Sequence, residues 1–110
     1  MNRLKIFDMT GGRCYYCGCK LDVKTFEVDH YAPRALGGKD KNNCVPSCRE
    51  CNSFKSCKTI EKFRSDLQEI ANRNLHTKLL TKYHVYAPKQ IVFWYEKQER
   101  GLNDAEQADY

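Results

Sequence analysis

Cys14-Tyr15-Tyr16-Cys17 and Cys48-Arg49-Glu50-Cys51 set the frame of this chain. The two Cys-x-x-Cys turns stand 30 residues apart, and each spacing lets both thiolates face one ion. Together they offer four sulfurs in a tetrahedron with no position left open. That is the coordination of a structural zinc ion, because catalysis at zinc needs a vacant position for water or substrate. Two such pairs among 110 residues are rare by chance, so Cys14, Cys17, Cys48 and Cys51 are expected to hold structural Zn²⁺ rather than to be ordinary thiols. Such an ion would close residues 18–47 into a loop. Cys19, Cys44 and Cys57 are left over and read as plain thiols, although Cys19 is close enough to Cys14 to compete with Cys17.

The rest of the composition agrees with a metal staple. Seven cysteines cannot all pair as disulfides, and residues 1–8 interrupt their apolar side chains with charge, unlike a signal peptide. Both point to a reducing, intracellular compartment and rank an extracellular disulfide-rich factor last. The longest apolar run, Ile91 to Tyr95, falls far short of the roughly 18 residues a membrane span requires, so no membrane partner is expected. A chain of 110 residues builds one small domain. Its lone core yields about 3–5 kcal/mol, which metals or disulfides commonly supplement. Nineteen basic residues against fourteen acidic ones, net +5, suit a polyanionic partner, but a solvated surface reaches the same balance.

Local patterns place the remaining elements. Leu4, Ile6, Phe7 and Met9, closed by Gly11-Gly12, predict a short helix over 2–9. Phe26 and Val28 alternate with Glu27 and Asp29, predicting a hairpin or short strand that runs into His30. Pro33, Gly37-Gly38, Asp40, Asn42-Asn43 and Pro46 make 31–46 mostly loop. Ile60, Phe63, Leu67, Ile70 and Ala71 recur at helical steps behind Thr59, an N-cap candidate. Leu75, Leu79, Leu80 and Tyr83 could continue as a second helical segment, Ile91 to Tyr95 reads as a strand, and 101–110 reads as a flexible acidic tail. Phe93, Trp94 and Tyr95 are better assigned to core packing than to stacking on bases, and His76 and His84 receive no role.

Within the loop that the cysteines close, Cys14-Tyr15-Tyr16-Cys17-Gly18, Val28-Asp29-His30-Tyr31-Ala32-Pro33, Gly37-Gly38, Asn43 and Cys48-Arg49-Glu50-Cys51-Asn52-Ser53-Phe54-Lys55 together resemble the HNH endonuclease family, in its small zinc-stapled form common in phages. The resemblance covers 13–55. It implies an α+β, ββα-metal (His-Me finger) fold: a hairpin ending in Asp29-His30, a loop carrying Asn43, and a helix starting near Arg49 that carries Asn52. The HNH core would occupy about 13–58 of a single domain, 1–100, with a helical and strand extension over 59–100.

The resemblance further implies that His30 is the general base, that Asp29 and Asn52 hold a catalytic Mg²⁺ or Mn²⁺, and that Asn43 braces the loop and orients His30. A neutral imidazole suits proton abstraction from water near physiological pH, and hard cations prefer oxygen ligands. Asn stands at 52 where the family name has His, which favours Mg²⁺ or Mn²⁺ over Zn²⁺ there. Cys44 replaces the family's usual aliphatic residue and reads as a small buried hydrophobe. Arg34, Lys39, Lys41, Arg49, Lys55 and Lys58 surround the motif and could bind flanking phosphates.

The implied activity is metal-dependent DNA cleavage or nicking by a monomer or weak dimer. The rival is a non-catalytic, zinc-stabilised HNH-fold binding module. It could bind nucleic acid, or bind a protein partner as a phage-encoded, anti-CRISPR-like inhibitor of a host nuclease. The separate C-terminal half motivates the rival, and the intact Asp29, His30 and Asn52 set favours the nuclease.

Overall fold

Asn2 starts the first helix by accepting the Lys5 N–H on its side chain at 3.2 Å, a capping bond that satisfies one orphan donor. The computed structural model of the chain describes residues 2–40, 42–73 and 91–99. Helix α1 is Arg3–Asp8, strand β1 is Glu27–His30, one 3-10 turn covers Arg34–Leu36, and strand β2 is Cys44–Ser47. Helices α2 (Arg49–Lys55), α3 (Ile60–Asn72) and α4 (Trp94–Glu99) complete a small α+β fold around a two-stranded antiparallel sheet.

The register of that sheet positions the site. Glu27 faces Ser47, Val28 faces Pro46, Asp29 faces Val45 and His30 faces Cys44. Side chains alternate across a strand, so Asp29 and Val45 share the buried face while His30 and Cys44 share the other. Pro46 has no N–H to donate, which a two-stranded sheet tolerates because both of its strands are edges. Its carbonyl accepts the Tyr15 N–H at 2.9 Å, docking the first cysteine turn on β2. The loop between the strands folds back so closely that a Cβ on Gly38 would overlap the Ala32 carbonyl.

Helix α3 behaves as its periodicity predicts. Thr59 accepts the Lys62 N–H at 3.2 Å, Phe63, Leu67 and Ala71 are fully buried, and Ile60 and Ile70 pack against them half-buried. Tyr16 from the first cysteine turn, Phe63 and Phe93 form an aromatic triangle. Its ring centroids lie 5.2 Å, 5.5 Å and 5.0 Å apart, within the range where such contacts are favourable. Cysteine turns and C-terminal segment therefore share one core.

Three sequence expectations are corrected here. The hairpin expected to end in Asp29-His30 starts there instead, because β1 pairs with β2 downstream and the described residues upstream form only the bridge between Arg13 and Lys20. The region 31–46 is loop only as far as Asn43, because β2 begins at Cys44 and pairs with β1 in spite of Pro46. Ile91 to Tyr95 is not a strand. Ile91 and Phe93 are buried as expected of apolar residues, but among the described residues the backbone around them bonds to no neighbouring strand. The Ile91 N–H goes to Gln68 Oε1 at 2.8 Å and the Phe93 N–H to Glu96 Oε1 at 3.0 Å. The Trp94 and Tyr95 N–H groups go to the carbonyls of Tyr16 and Tyr15 at 2.7 Å and 3.1 Å. Glu96 reaching back to Phe93 is half of a capping box, and it starts a helix where β propensity alone favours extension. The segments expected at Leu75, Leu79, Leu80 and Tyr83 and at 101–110 lie outside the described residues, as do Lys41, His76 and His84.

Truncating Phe63 to Ala should lower stability by about 3–5 kcal/mol, because it removes a fully buried ring from one corner of the aromatic triangle. Leu4→Ala, at a position that is 59% exposed, should change stability by less than about 0.5 kcal/mol. Chemical denaturation of the two variants beside the parent measures both.

Candidate active site and four-cysteine cluster

The first cysteine turn closes on itself: Cys14 N–H donates to the Cys19 carbonyl at 2.9 Å and Gly18 N–H to the Cys14 carbonyl at 3.0 Å. Gly18 has φ of 81°, and a Cβ there would lie 2.5 Å from Trp94 Cδ1, so the turn requires glycine both for its backbone and for its packing. The second turn is also a helix start. Cys48 is the N-cap of α2, and its sulfur accepts the Cys51 N–H at 3.4 Å.

The sulfurs of Cys14, Cys17, Cys48 and Cys51 all lie within 4.8 Å of one another, and Cys17 Sγ is 3.8 Å from Cys48 Sγ. Tetrahedral ligands at a Zn–S bond of about 2.3 Å stand about 3.8 Å apart, so this donor set could hold one such ion. Cys14, Cys48 and Cys51 are buried and Cys17 is half-buried. Cys57 is exposed, whereas Cys19 is half-buried next to the cluster.

Asp29 and His30 occupy the last two positions of β1 and point to opposite faces. Asp29 is 6% exposed. Its Oδ2 accepts the Tyr16 hydroxyl at 2.5 Å and is paired at 3.0 Å with the ammonium of Lys55, which is wholly buried. Lys55 Nζ also donates to the His30 carbonyl at 2.9 Å, so one cation ties α2 to the end of β1. Burial, and then the Asp29 charge, push the Tyr16 phenol far above its ordinary pKa, leaving it a permanent donor. Lys55 was expected among the surface phosphate contacts. Its burial removes it from that group, because the ammonium meets Asp29 rather than solvent.

His30 is half-buried, and its Nε2 lies 2.7 Å from Oδ1 of the exposed Asp40. The hydrogen bond from His30, and then the Arg34 guanidinium, hold the Asp40 carboxyl below the usual range. An ionised carboxylate only accepts, so the proton of this pair is assigned to Nε2. Asn43 braces the loop above: its Oδ1 accepts the Ala32 N–H at 2.8 Å, and its Nδ2 donates to the carbonyls of Ala32 and Lys39 at 2.8 Å and 2.7 Å. The Tyr31 N–H donates to the Asn43 carbonyl at 2.9 Å. Asn52 is half-buried on α2, three residues before Lys55 and so on the same side of that helix.

Cys44 corrects another expectation. It is not a buried hydrophobe but a half-exposed thiol opposite His30, with its Sγ 3.5 Å from the Asp40 carbonyl. Partial burial, and then the Asp40 charge, raise its pKa. Arg34, Lys39 and Arg49 are exposed, whereas Lys58 is half-buried, bridged to Asp66 at 3.0 Å and stacked 4.0 Å above the Phe54 ring. Tyr16, Asp40 and Cys44 are the site residues that sequence reasoning missed. For Tyr16 and Asp40 no local signal existed, and for Cys44 the strand register was the missing information.

The sequence profile of the HNH endonuclease family matches residues 14–68. The chain is 36% identical over 56 residues to a CRISPR-associated endonuclease Cas9 of Actinomyces naeslundii, across 49% of this chain and 5% of that one. It is 28% identical over 92 residues to the SPbeta prophage-derived protein YoqL of Bacillus subtilis, named as an HNH endonuclease, across 71% of this chain and 36% of that one. Both relatives thus extend well beyond what this chain spans. The crystal structure of the Type II-C Cas9 enzyme from Actinomyces naeslundii superposes with a TM-score of 0.53 at 26% identity, covering 78% of this chain and 12% of the other.

Replacing Lys55 by Met should cost about 3–5 kcal/mol, because it strands a buried carboxylate. The double variant with Asp29→Asn should recover much of that loss. A denaturation cycle over the parent, both single variants and the double variant measures the coupling.

Proposed function

The chain belongs to the HNH endonuclease family, and from that premise we propose that it is a metal-dependent nuclease that hydrolyses phosphodiester bonds in DNA. One juxtaposition carries the reading: Asp29 and His30 end β1 beside the face of α2 that bears Asn52 and Lys55. On this reading the hairpin and α2 form the ββα-metal unit. His30 is the general base, Asn43 supports it through the loop, and Asp29 and Asn52 hold the catalytic Mg²⁺ or Mn²⁺.

The two oxygens of Asp29 divide the work. Oδ2 is committed to Tyr16 and Lys55, and Oδ1 remains for a cation, with the Asn52 amide oxygen as the second donor. When bound, such a cation neutralises charge on the scissile phosphate and stabilises the leaving 3′ oxygen. His30 keeps its proton on Nε2 towards Asp40, which leaves the Nδ1 lone pair to take a proton from the attacking water. Asp40 then stabilises the imidazolium that forms. Arg34, Lys39 and Arg49 are the exposed cations placed to meet flanking phosphates, with Lys41 of the original set outside the described residues. One such site cuts one strand at a time, so a nick is the product expected of a single chain.

The four-cysteine cluster holds structural zinc in this scheme. Cys14, Cys17, Cys48 and Cys51 fill the coordination sphere and leave no position for substrate. The two metals are then separable by experiment. Leaving Mg²⁺ out of the buffer should stop cleavage while the fold persists, and a chelator that removes zinc should melt the protein, as circular dichroism will show.

Supercoiled plasmid should be nicked in Mg²⁺ or Mn²⁺ and remain intact in EDTA. His30→Ala should slow nicking by about 10² to 10⁴-fold at unchanged zinc content. Equal rates in that variant would remove His30 from the role. A folded, zinc-loaded protein that leaves varied DNA substrates uncut would favour the non-catalytic binding module.

A further inference from the structure

We propose that His30, Asp40 and Cys44 form a second, inhibitory site for a thiophilic divalent ion such as Zn²⁺ or Cd²⁺. A ring nitrogen of His30, a carboxylate oxygen of Asp40 and Sγ of Cys44 all lie within 4.8 Å of one another. The sheet builds this cluster directly. His30 and Cys44 are opposed across the antiparallel ladder, so their side chains emerge side by side on one face. The loop that Asn43 braces then brings Asp40 over them, with its carboxylate 2.7 Å from Nε2. Asp40 is exposed and the other two are half-exposed, so an ion can enter from solvent.

The donor set decides which ion. Imidazole nitrogen, thiolate and carboxylate together suit zinc and softer ions, whereas Mg²⁺ prefers oxygen donors and keeps its waters. Ligand atoms around one tetrahedral zinc stand about 3–4 Å apart, close to the spacing already present. Three protein ligands leave a fourth position for water, unlike the closed four-cysteine cluster. Binding releases the Cys44 thiol proton to solvent as the metal–sulfur bond forms.

The consequence for His30 is the loss of its free lone pair, and it rests on the nuclease reading above. Without the ion, Nε2–H points at Asp40 and Nδ1 carries the lone pair. An ion on Nδ1 takes that lone pair directly, and an ion on Nε2 obliges the neutral ring to carry its proton on Nδ1. The base then has no lone pair left to accept a proton from water. Mg²⁺ would activate this site while zinc in excess of the structural equivalent silences it.

The test uses the protein with zinc already bound at the four-cysteine cluster, titrated with Zn²⁺ and separately with Cd²⁺. Equilibrium dialysis should find one additional ion per chain, and Cd²⁺ should add a thiolate charge-transfer band in the ultraviolet. Cys44→Ala and Asp40→Asn, checked for native circular dichroism and one bound zinc, should each weaken the additional ion by at least about tenfold. In Mg²⁺, zinc should suppress nicking by the parent with the midpoint of the binding curve. Nicking by Cys44→Ala, relative to its own zinc-free rate, should hold at that concentration. The absence of an additional ion, or its equally tight binding to Cys44→Ala, overturns the site, and binding that leaves nicking unaffected overturns the inhibition. A parent that binds the ion through Cys44 but cuts nothing in Mg²⁺ alone keeps the metal site and loses the nuclease reading.

Discussion

The meeting of two Cys-x-x-Cys turns at one point is the constraint from which the other elements take their places. Cys48 is at once a member of the sulfur cluster and the N-cap of α2, so the cluster sets where that helix begins. The first turn carries Tyr16, whose ring enters the aromatic core and whose hydroxyl reaches Asp29. Its carbonyls at Tyr15 and Tyr16 receive the N–H groups that start α4. A core this small leaves few apolar residues for holding the loops, and an ion held by the four sulfurs would reduce what that core must supply.

The second organising interaction is electrostatic. Lys55 and Asp29 are both buried, and bringing two ions out of water costs more than a simple pair returns. The cost is offset by additional hydrogen bonds: the ammonium also serves the His30 carbonyl, and the carboxylate also accepts the Tyr16 hydroxyl. Three elements are thereby held in one geometry at the end of β1. Holding Asp29 through one oxygen fixes the orientation of its carboxylate at the end of β1.

The expectations that fell short have physical explanations. Ile91 to Tyr95 has the β-branched and aromatic composition of a strand, and its burial is what that composition predicts. Its backbone, however, found its partners in Gln68, Glu96 and the cysteine turn, none of them near in sequence except Glu96. Lys55 follows the last cysteine on a helix, where a lysine ordinarily reaches solvent, and the seven-residue length of α2 places it against β1 instead. Pro46 argued for loop, and a sheet with only two strands had room for it.

What the sequence determined by itself was whatever depends on residue type and short spacing. The two Cys-x-x-Cys pairs, the cap at Thr59 and the apolar face of α3 are legible from neighbours within a few positions, whereas Asp29, His30, Asn43 and Asn52 stood out through the resemblance to the HNH family. The tertiary structure alone decided the register that sets Cys44 beside His30, the loop path that brings Asp40 to the ring, and the burial of Lys55. A one-residue slip of β2 would have turned Cys44 to the inner face, and no local preference distinguishes the two registers. The choice belongs to the packing of Val45 against the core and to the cysteine turn docked on Pro46, both contacts between residues far apart in the chain.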